Sequence, residues 1–334
     1  MSQVTDGSAR VRHPAALMYG PIQDELAEVE RILATELRSD HPFVDQLVRH
    51  GFRLGGKRLR PALLLLSAKA TGEINRDHLV LAAVMEMIHT ATLIHDDVLD
   101  EATLRRHEDT VNARWDNDAS VLLGDYLFTH SFYLASTLQT TFACQTIGRA
   151  TNIVCEGELR QIESRQNFAL TESEYYGIVE AKTAELCACC CRLGAHYAGA
   201  SRQTQESLAR YGRALGVAFQ IIDDVLDLEG DEATTGKSLG ADLEQQKPTL
   251  PILHLLSQAD AADRSDITAV LTRSGNHRRE SLDPWLRRSD SLGYARAKAE
   301  EYATAAREHL DDLPENAAAT ILRQLTRFVV QRSR

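Results

Sequence analysis

The sequence predicts an all-α protein folded as one domain. Apolar residues recur at three- and four-residue steps along most of the 334 residues, and no segment shows the strict apolar–polar alternation of a strand. The chain has no Pro/Gly/Ser-rich linker, fixed-period repeat or low-complexity block. With 43% hydrophobic residues it can bury a large core. We therefore expect a single helical domain over residues 16–334 and a disordered tail over residues 1–15.

Composition limits the classes of function. The chain carries 48 acidic and 37 basic residues, a net charge of −11, which argues against nucleic-acid binding. The N-terminus lacks the apolar core of a signal peptide, and the longest apolar run, residues 79–85, is too short to cross a bilayer. In the run CACCC at 187–191, neighbouring thiols point in different directions and no second half-site follows. We expect a soluble, cytoplasmic protein with buried thiols rather than a zinc site.

Predicted helices follow one another along the chain. An amphipathic helix over 23–37 is ended by His41-Pro42, and Pro61 suits the first turn of the next helix. Further helices are predicted over 76–99, 119–138, 144–166, 172–198, 203–228 and, in several pieces, 252–334. Residues 229–247 are the polar exception. They predict either a lid that closes over a charged substrate or a mobile connector.

The first chemical motif is LIHDDVLDEATLRR, residues 93–106. Asp96, Asp97 and Asp100 fall within one arc of roughly 100° on a helix surface. Three carboxylates on one face repel each other, so a cation between them is expected. Oxygen ligands favour Mg²⁺, which binds through carboxylates together with substrate phosphates.

The second motif, FQIIDDVLDLEGD at 219–231, repeats this spacing with Asp223, Asp224 and Asp227. One such cluster alone could equally be a solvated helix end. Both clusters, however, are embedded in apolar residues, where an unpaired carboxylate is costly. A metal centre shared by two facing helices explains the pair better.

A basic loop, GGKRLRP, lies upstream of both clusters. Its glycines let the backbone approach a ligand, and Lys57, Arg58 and Arg60 supply positive charge at a helix entry. A surface turn is the competing interpretation, but two metal clusters nearby favour a phosphate-bearing substrate. His89 lies two helical turns before Asp96 and could reach that substrate, although a lone histidine on an apolar helix is more often a core residue.

Taken together, GGKRLRP, HTATLIHDDVLDEATLRR and FQIIDDVLDLEGD resemble the all-trans polyprenyl diphosphate synthases, the polyprenyl synthetase family. The resemblance spans about residues 54–252. It implies antiparallel helices around a deep central cavity, usually in a homodimer. It also implies a Mg-dependent, head-to-tail condensation of isopentenyl diphosphate with an allylic diphosphate.

The resemblance further implies roles for individual residues. Two Mg²⁺ ions are expected on Asp96 and Asp100 and a third on Asp223, with Asp227 as a further ligand and Asp97 among the catalytic residues. The allylic diphosphate is expected on these metals and on Arg105, Lys182, Thr183, Gln220, Lys237 and Lys247. Isopentenyl diphosphate is expected in a basic pocket of Gly56, Lys57, Arg60, His89 and Arg106. Two positions depart from the family pattern, since His107 and Gln246 stand where glycine is common.

Product length is expected to depend on the cavity floor. Thr92 and Ala91, four and five residues before Asp96, are small where short-chain members often have bulky aromatics, and Ile88 lies deeper. We therefore predict a medium- or long-chain, octaprenyl-type product for a quinone side chain, with a C20 or C15 product as the alternative. A non-catalytic subunit of a heteromeric synthase and a terpene cyclase are the rival classes, and neither is expected to carry both clusters and the basic loop.

Overall fold

The computed structural model describes residues 19–54, 56–229, 240–273 and 277–332. Sixteen helices form nearly all of the regular structure in these ranges. They are α1 (Gln23–Glu36), α2 (Pro42–Arg53), α3 (Leu59–Thr71), α4 (Arg76–Leu99), α5 (Val111–Arg114), α6 (Asn117–Ser136), α7 (Phe142–Ser164), α8 (Glu172–Val179), α9 (Glu185–Tyr197), α10 (Arg202–Glu229), α11 (Ala241–Glu244), α12 (Leu250–Gln258), α13 (Ala261–Thr272), α14 (Arg278–Arg288), α15 (Ser291–Glu308) and α16 (Ala317–Gln331). A 3-10 turn (Gly20–Ile22), a π-helical turn (Glu180–Ala184) and a hairpin of β1 (Leu104–Arg105) and β2 (Glu108–Asp109) are also described.

The predicted all-α class is confirmed, and three local features differ from expectation, the third being the π-helical turn described below. Pro42 was expected only to end a helix, but it occupies the first turn of α2, where its missing N–H costs nothing. The hairpin β1–β2 was not foreseen because two-residue strands are too short to show an alternating pattern. The predicted tail at 1–15 and most of the proposed lid, 230–239, lie outside the described residues.

The core is centred on α3, α4, α9 and α10. Residues 62–66 of α3 are fully buried on every side of the helix. Helix α9 packs against α3, α4 and α10, and its cysteines at 187 and 189–191 are buried in the same cluster, as predicted. Helix α4 is long and apolar enough to cross a bilayer, but 67% of the qualifying stretch is buried inside the protein, the pattern of a core helix.

Local signals place the two acidic clusters at helix ends. Helix α4 starts at a capping box in which the Asn75 and His78 side chains bond each other's backbone N–H groups, and it ends with Asp100 as its C-cap residue. Helix α10 runs unbroken from Arg202 to Glu229 and so carries the second cluster in its last two turns. Each cluster therefore lies at the C-terminal end of its helix.

The π-helical turn is held between α7 and α10. A Cβ at Gly157 would lie 2.7 Å from the Lys182 nitrogen, and a Cβ at Gly216 would lie 2.6 Å from the Ala184 Cα. Only glycine permits backbones this close. The turn was predicted as ordinary helix, and its extra residue places Lys182 and Thr183 between the two neighbouring helices.

Candidate active site

The first cluster presents two carboxylates to cations. Asp96 lies 3.9 Å from Lys182 Nζ, and Asp100 lies 3.2 Å from Lys247 Nζ and 3.0 Å from Arg165 Nη2. Burial raises the pKa of Asp96 to about 6, against the opposing effect of Lys182. These two carboxylates share one side of the last turn of α4 and face positive charge.

Asp97 lies at the buried edge of the same arc. Its side chain is 2% exposed, and it accepts hydrogen bonds from Arg105 Nη2 at 2.6 Å and Arg105 Nε at 2.8 Å. This pair ties the start of the β1–β2 hairpin to α4. Asp97 therefore differs from Asp96 and Asp100 in being buried and paired with Arg105. Arg105, which was expected to bind the allylic diphosphate, contacts a carboxylate in this structure.

The second cluster divides in the same way. Asp223 forms an ion pair with Arg332, whose guanidinium also lies 4.2 Å from the centre of the Phe219 ring. Asp224 is buried and accepts hydrogen bonds from Tyr175 Oη at 2.6 Å and Gln220 Nε2 at 2.8 Å. The exposed member thus faces a cation, and the buried member is held by neutral donors.

Asp227, predicted as a metal ligand, contacts backbone. Its carboxylate oxygens accept the N–H groups of Ala241 and Asp242, each at 3.2 Å, at the start of α11. The carboxylate therefore anchors the chain where it returns after residue 239.

Two routes of contact join the clusters. Along the first, Lys182 lies against Asp96, and the adjacent Thr183 hydroxyl donates to Gln220 Oε1 at 3.0 Å beside the second cluster. Along the second, Lys247 contacts Asp100 and lies 3.8 Å from Asp242, whose backbone N–H donates to Asp227 of the second cluster. The aspartates of the two motifs, 123 residues or more apart in sequence, therefore border one region.

Two residues of α7 belong to this region, although no sequence motif marks them. Lys182 Nζ contacts Glu158 Oε2 at 2.5 Å and donates to Gln161 Oε1 at 2.7 Å. Burial alone would lower the pKa of Lys182, but Asp96 and Glu158 raise it, so the group is a firmly held cation. Arg165 and Arg332 were missed likewise, because each reaches its aspartate through a long-range contact.

The predicted basic pocket assembles beside the clusters. Arg106 Nη1 donates to the Leu54 carbonyl at 2.6 Å, and a Cβ at Gly56 would lie 2.4 Å from Arg106 Nη2, so the guanidinium rests on the bare glycine backbone. Burial lowers the pKa of His89, and Arg60 and Arg106 lower it further, so this imidazole is neutral. Burial, with Arg332 next, also lowers the pKa of Lys57.

Comparison with known proteins agrees with this geometry. The family model described as polyprenyl synthetase matches residues 41–285, more than half of the chain. The chain belongs to the polyprenyl synthetase family. It is accordingly a prenyltransferase that joins isopentenyl diphosphate to an allylic diphosphate, as the sequence predicted, and the family is magnesium-dependent.

Individual relatives match over nearly their whole length. The octaprenyl diphosphate synthase of Escherichia coli (strain K12) is 36% identical over 93% of this chain and 96% of its own. An all-trans-nonaprenyl-diphosphate synthase (geranyl-diphosphate specific) of Rhodobacter capsulatus is 35% identical over 94% of this chain and 97% of its own. A polyprenyl synthase from Caulobacter crescentus CB15, solved with calcium and isoprenyl diphosphate, superposes with a TM-score of 0.91 at 32% identity, covering 95% of this chain and 98% of that one.

One residue of the basic loop differs from expectation. Arg58 was expected to supply charge for the substrate, but its guanidinium is bonded to Glu86 and Glu30, each at 2.6 Å. Two carboxylates therefore neutralise it. Lys237, predicted to bind the allylic diphosphate, lies outside the described residues.

Both departures from the family pattern fall at left-handed backbone positions. His107 has φ 66°, next to Arg106 at φ 54° in the β1–β2 turn, and Gln246 has φ 55°. Glycine adopts this conformation without strain, which explains the family preference. Gln246 gains hydrogen bonds in exchange, accepting from Gln166 Nε2 at 2.7 Å and donating to the Leu271 carbonyl at 3.3 Å.

The predicted chain-length residues line α4 on the core side of the first cluster. Ile88 and Ala91 are buried, and Thr92 is half-buried with its hydroxyl bonded to the His89 carbonyl at 2.8 Å. Their effect on product length stays a prediction.

The donor set fits Mg²⁺ bound together with a diphosphate. Among the described residues, no three His, Cys, Asp or Glu side chains are grouped closely enough to hold a metal by themselves. The carboxylates of Asp96, Asp100 and Asp223 instead face Lys or Arg side chains, so each already stabilises positive charge. Mg²⁺ characteristically binds through one or two carboxylates and completes its shell with water and substrate phosphate.

Proposed function

We propose that the protein makes a medium- or long-chain all-trans polyprenyl diphosphate of octaprenyl type, which serves as a quinone side chain. The observation that supports the site is the double contact between the acidic clusters, through Lys182–Thr183 and through Lys247, beside the basic pocket. The small Ala91 and the names of the relatives, octaprenyl and nonaprenyl synthases, support the length. Geranylgeranyl (C20) or farnesyl (C15) diphosphate is the alternative product.

In this proposal Asp96, Asp100 and Asp223 would hold three Mg²⁺ ions, with Asp227 as a further ligand. Bound Mg²⁺ supplies positive charge to the leaving diphosphate, which lets the allylic C–O bond break without a strong nucleophile. The side chains that now face the carboxylates, Lys182 and Lys247, turn to the diphosphate oxygens. Arg105, Thr183, Gln220 and Lys237 complete this half of the site.

The second substrate is held by the basic pocket. Gly56, Lys57, Arg60, His89 and Arg106 bind the diphosphate of isopentenyl diphosphate, with the neutral His89 donating a hydrogen bond. The C1–O bond of the allylic substrate breaks, and its electron pair leaves with the diphosphate. The isopentenyl double bond attacks C1, a proton passes to the departing diphosphate, and the chain is five carbons longer.

We also propose that the protein is a homodimer and resides in the cytoplasm. Helices α6 and α7, joined by a short loop, expose Val121, Leu122, Tyr133, Leu159 and Ile162, of which Leu122 is 68% and Leu159 is 67% exposed. Large apolar side chains exposed on two neighbouring helices suit a protein interface. The cysteines, all free, suit a reducing compartment.

One assay tests the proposal against its rivals. The pure protein is incubated with Mg²⁺, isopentenyl diphosphate and geranyl, farnesyl or geranylgeranyl diphosphate, and the dephosphorylated products are sized. Linear products longer than C20 support the proposal, and accumulation at C15 or C20 supports the alternative product. Cyclic products would indicate a terpene cyclase, and no product from any primer would indicate a non-catalytic subunit.

A further inference from the structure

Arg58 differs from the other cations of the basic pocket because two carboxylates of the protein already neutralise its charge. Its Nη1 donates to Glu86 Oε1 at 2.6 Å, and its Nε and Nη2 donate to Glu30 at 2.6 and 3.3 Å. Glu30 lies on α1 and Glu86 on α4, so one guanidinium joins both helices to the start of α3. We refer to this triad of Glu30, Arg58 and Glu86 as the arginine clamp.

The carboxylate of Glu86 is shielded from solvent. Its side chain is 2% exposed, and a buried carboxylate without a cation is strongly unfavourable. Arg58 is therefore required where it lies. Glu86 also lies one helical turn before His89 on α4, so the clamp binds the same stretch of helix that presents the imidazole to the pocket.

The backbone at Arg58 is held in an unfavourable conformation. Arg58 caps α3 with φ 54°, a left-handed position that is strained for a non-glycine residue. The preceding Lys57 and the following Arg60 are both predicted to bind isopentenyl diphosphate. Because the chain reverses its local hand between them, the conformation of Arg58 sets the directions in which these two side chains leave the backbone.

The pocket also contains a high density of positive charge. The guanidinium groups of Arg58, Arg60, Arg105 and Arg106 all act on His89, and Arg105 is neutralised by Asp97. Burial, with Arg105 next, lowers the pKa of Arg106, and the buried carboxylate of Glu86 opposes that shift. Glu86 therefore offsets part of the positive charge at Arg106 as well as at Arg58.

We propose that Arg58 is a positioning residue and that the arginine clamp fixes Lys57 and Arg60 in the geometry that binds the diphosphate of isopentenyl diphosphate. This inference rests on the proposed assignment of the basic pocket. Arg58 donates its described hydrogen bonds to Glu30 and Glu86 and to neither acidic cluster, so the effect on isopentenyl diphosphate should exceed the effect on the allylic substrate.

The test uses Glu86→Gln, which keeps the shape of the side chain and removes its charge. We expect the KM for isopentenyl diphosphate to rise ~10-fold, the equivalent of one ion pair, with the allylic KM and kcat changed less than ~2-fold. An unchanged KM for isopentenyl diphosphate, or equal rises in both KM values, would overturn the proposal.

Lys69→Met is the matched control, because Lys69 joins α3 to α1 at the other end of α3 through its ion pair with Glu25 at 2.8 Å. It should lower thermal stability and leave both KM values unchanged.

A paired variant separates positioning from folding. Arg58→Met with Glu86→Met removes the clamp and leaves no buried charge unpaired, so thermal stability should return close to wild type while the KM for isopentenyl diphosphate stays high. Recovery of the KM along with stability would show that the clamp acts only on folding.

Calorimetric titration of wild type and Glu86→Gln with isopentenyl diphosphate, without allylic substrate, isolates the binding step. If the wild type binds isopentenyl diphosphate but makes no product, the proposed reaction is wrong, and the effect of the clamp on binding can still be measured. If the wild type does not bind isopentenyl diphosphate, both the proposed function and the proposed role of the clamp are wrong.

Discussion

At the level of single residues, each acidic motif assigns its aspartates to different tasks. Asp96, Asp100 and Asp223 face Lys or Arg side chains, whereas Asp97 is buried against Arg105 and Asp224 against Tyr175 and Gln220. The DDxxD spacing predicts that the carboxylates share an arc of the helix. It does not predict which of them are buried, because burial depends on partners elsewhere in the chain.

Ala91 provides the first test at this scale. It is 1% exposed on α4 and lies five residues before Asp96, where we expect a larger side chain to shorten the proposed cavity below the proposed metal ligands. Ala91→Phe should therefore give a shorter product, read by sizing the dephosphorylated chains. Ala91→Ser, which keeps the side chain small, is the control. An active Ala91→Phe enzyme with products of wild-type length would rule out this account of the cavity floor.

His107 provides the second test. Replacing it by glycine removes a left-handed non-glycine residue from the β1–β2 turn and should stabilise the protein by about 1 kcal/mol. Gln246→Gly relieves the same backbone strain but loses hydrogen bonds to Gln166 and Leu271, so it should give no gain. Denaturant unfolding measures both. The explanation fails if His107→Gly destabilises the protein or if both variants gain equally.

At the level of elements, the π-helical turn connects the two halves of the site. Its Thr183 bonds Gln220, Gln220 bonds Asp224, and Asp224 accepts from Tyr175 of α8. This chain of hydrogen bonds orients Gln220 and Thr183, which are predicted to bind the allylic diphosphate. A turn of this kind has the composition of ordinary helix, so the sequence predicted helix across 172–198 and missed the bulge.

Tyr175→Phe tests that chain. Losing a buried hydrogen bond to Asp224 should cost about 2 kcal/mol of unfolding free energy and raise the KM for the allylic diphosphate. Tyr294→Phe is the matched control. Tyr294 also donates a hydrogen bond to a carboxylate, that of Glu172 at 2.9 Å, but this pair is not part of the candidate site. That variant should leave both KM values unchanged. Equal kinetic effects from the two variants would mean that Tyr175 has no special role in orienting the site.

The long helices were predictable because burial on one face leaves a 3.6-residue period in the sequence. Helix α4 was predicted with its observed bounds, Arg76–Leu99. Helix α2 was not, since Pro42 signals both the end of one helix and the beginning of another. Glu158 contacts Lys182, Arg165 contacts Asp100 and Arg332 contacts Asp223. These pairs are separated by tens to more than a hundred residues and leave no local pattern.

At the level of the whole molecule, the exposed apolar face of α6 and α7 is expected to join two copies. Leu122→Glu with Leu159→Glu places charges at the two most exposed apolar side chains of that face and should convert the dimer to a monomer, measured by light scattering coupled to size exclusion. Phe43→Glu, at a residue of α2 that is 47% exposed, is the control and should leave the dimer intact. A monomeric wild type, or a double variant that stays dimeric, would exclude this interface.

The central claim is that Asp96 and Asp223 act on one diphosphate. The most direct measurement is a double-mutant cycle, Asp96→Asn and Asp223→Asn alone and together, for Mg²⁺-dependent calorimetric binding of farnesyl thiolodiphosphate, an unreactive allylic analogue. We expect each single variant to weaken binding at least ~100-fold, and the double variant to be little weaker than either one, because both residues serve the same complex. Independent, additive losses would place the two clusters at separate sites and contradict the account.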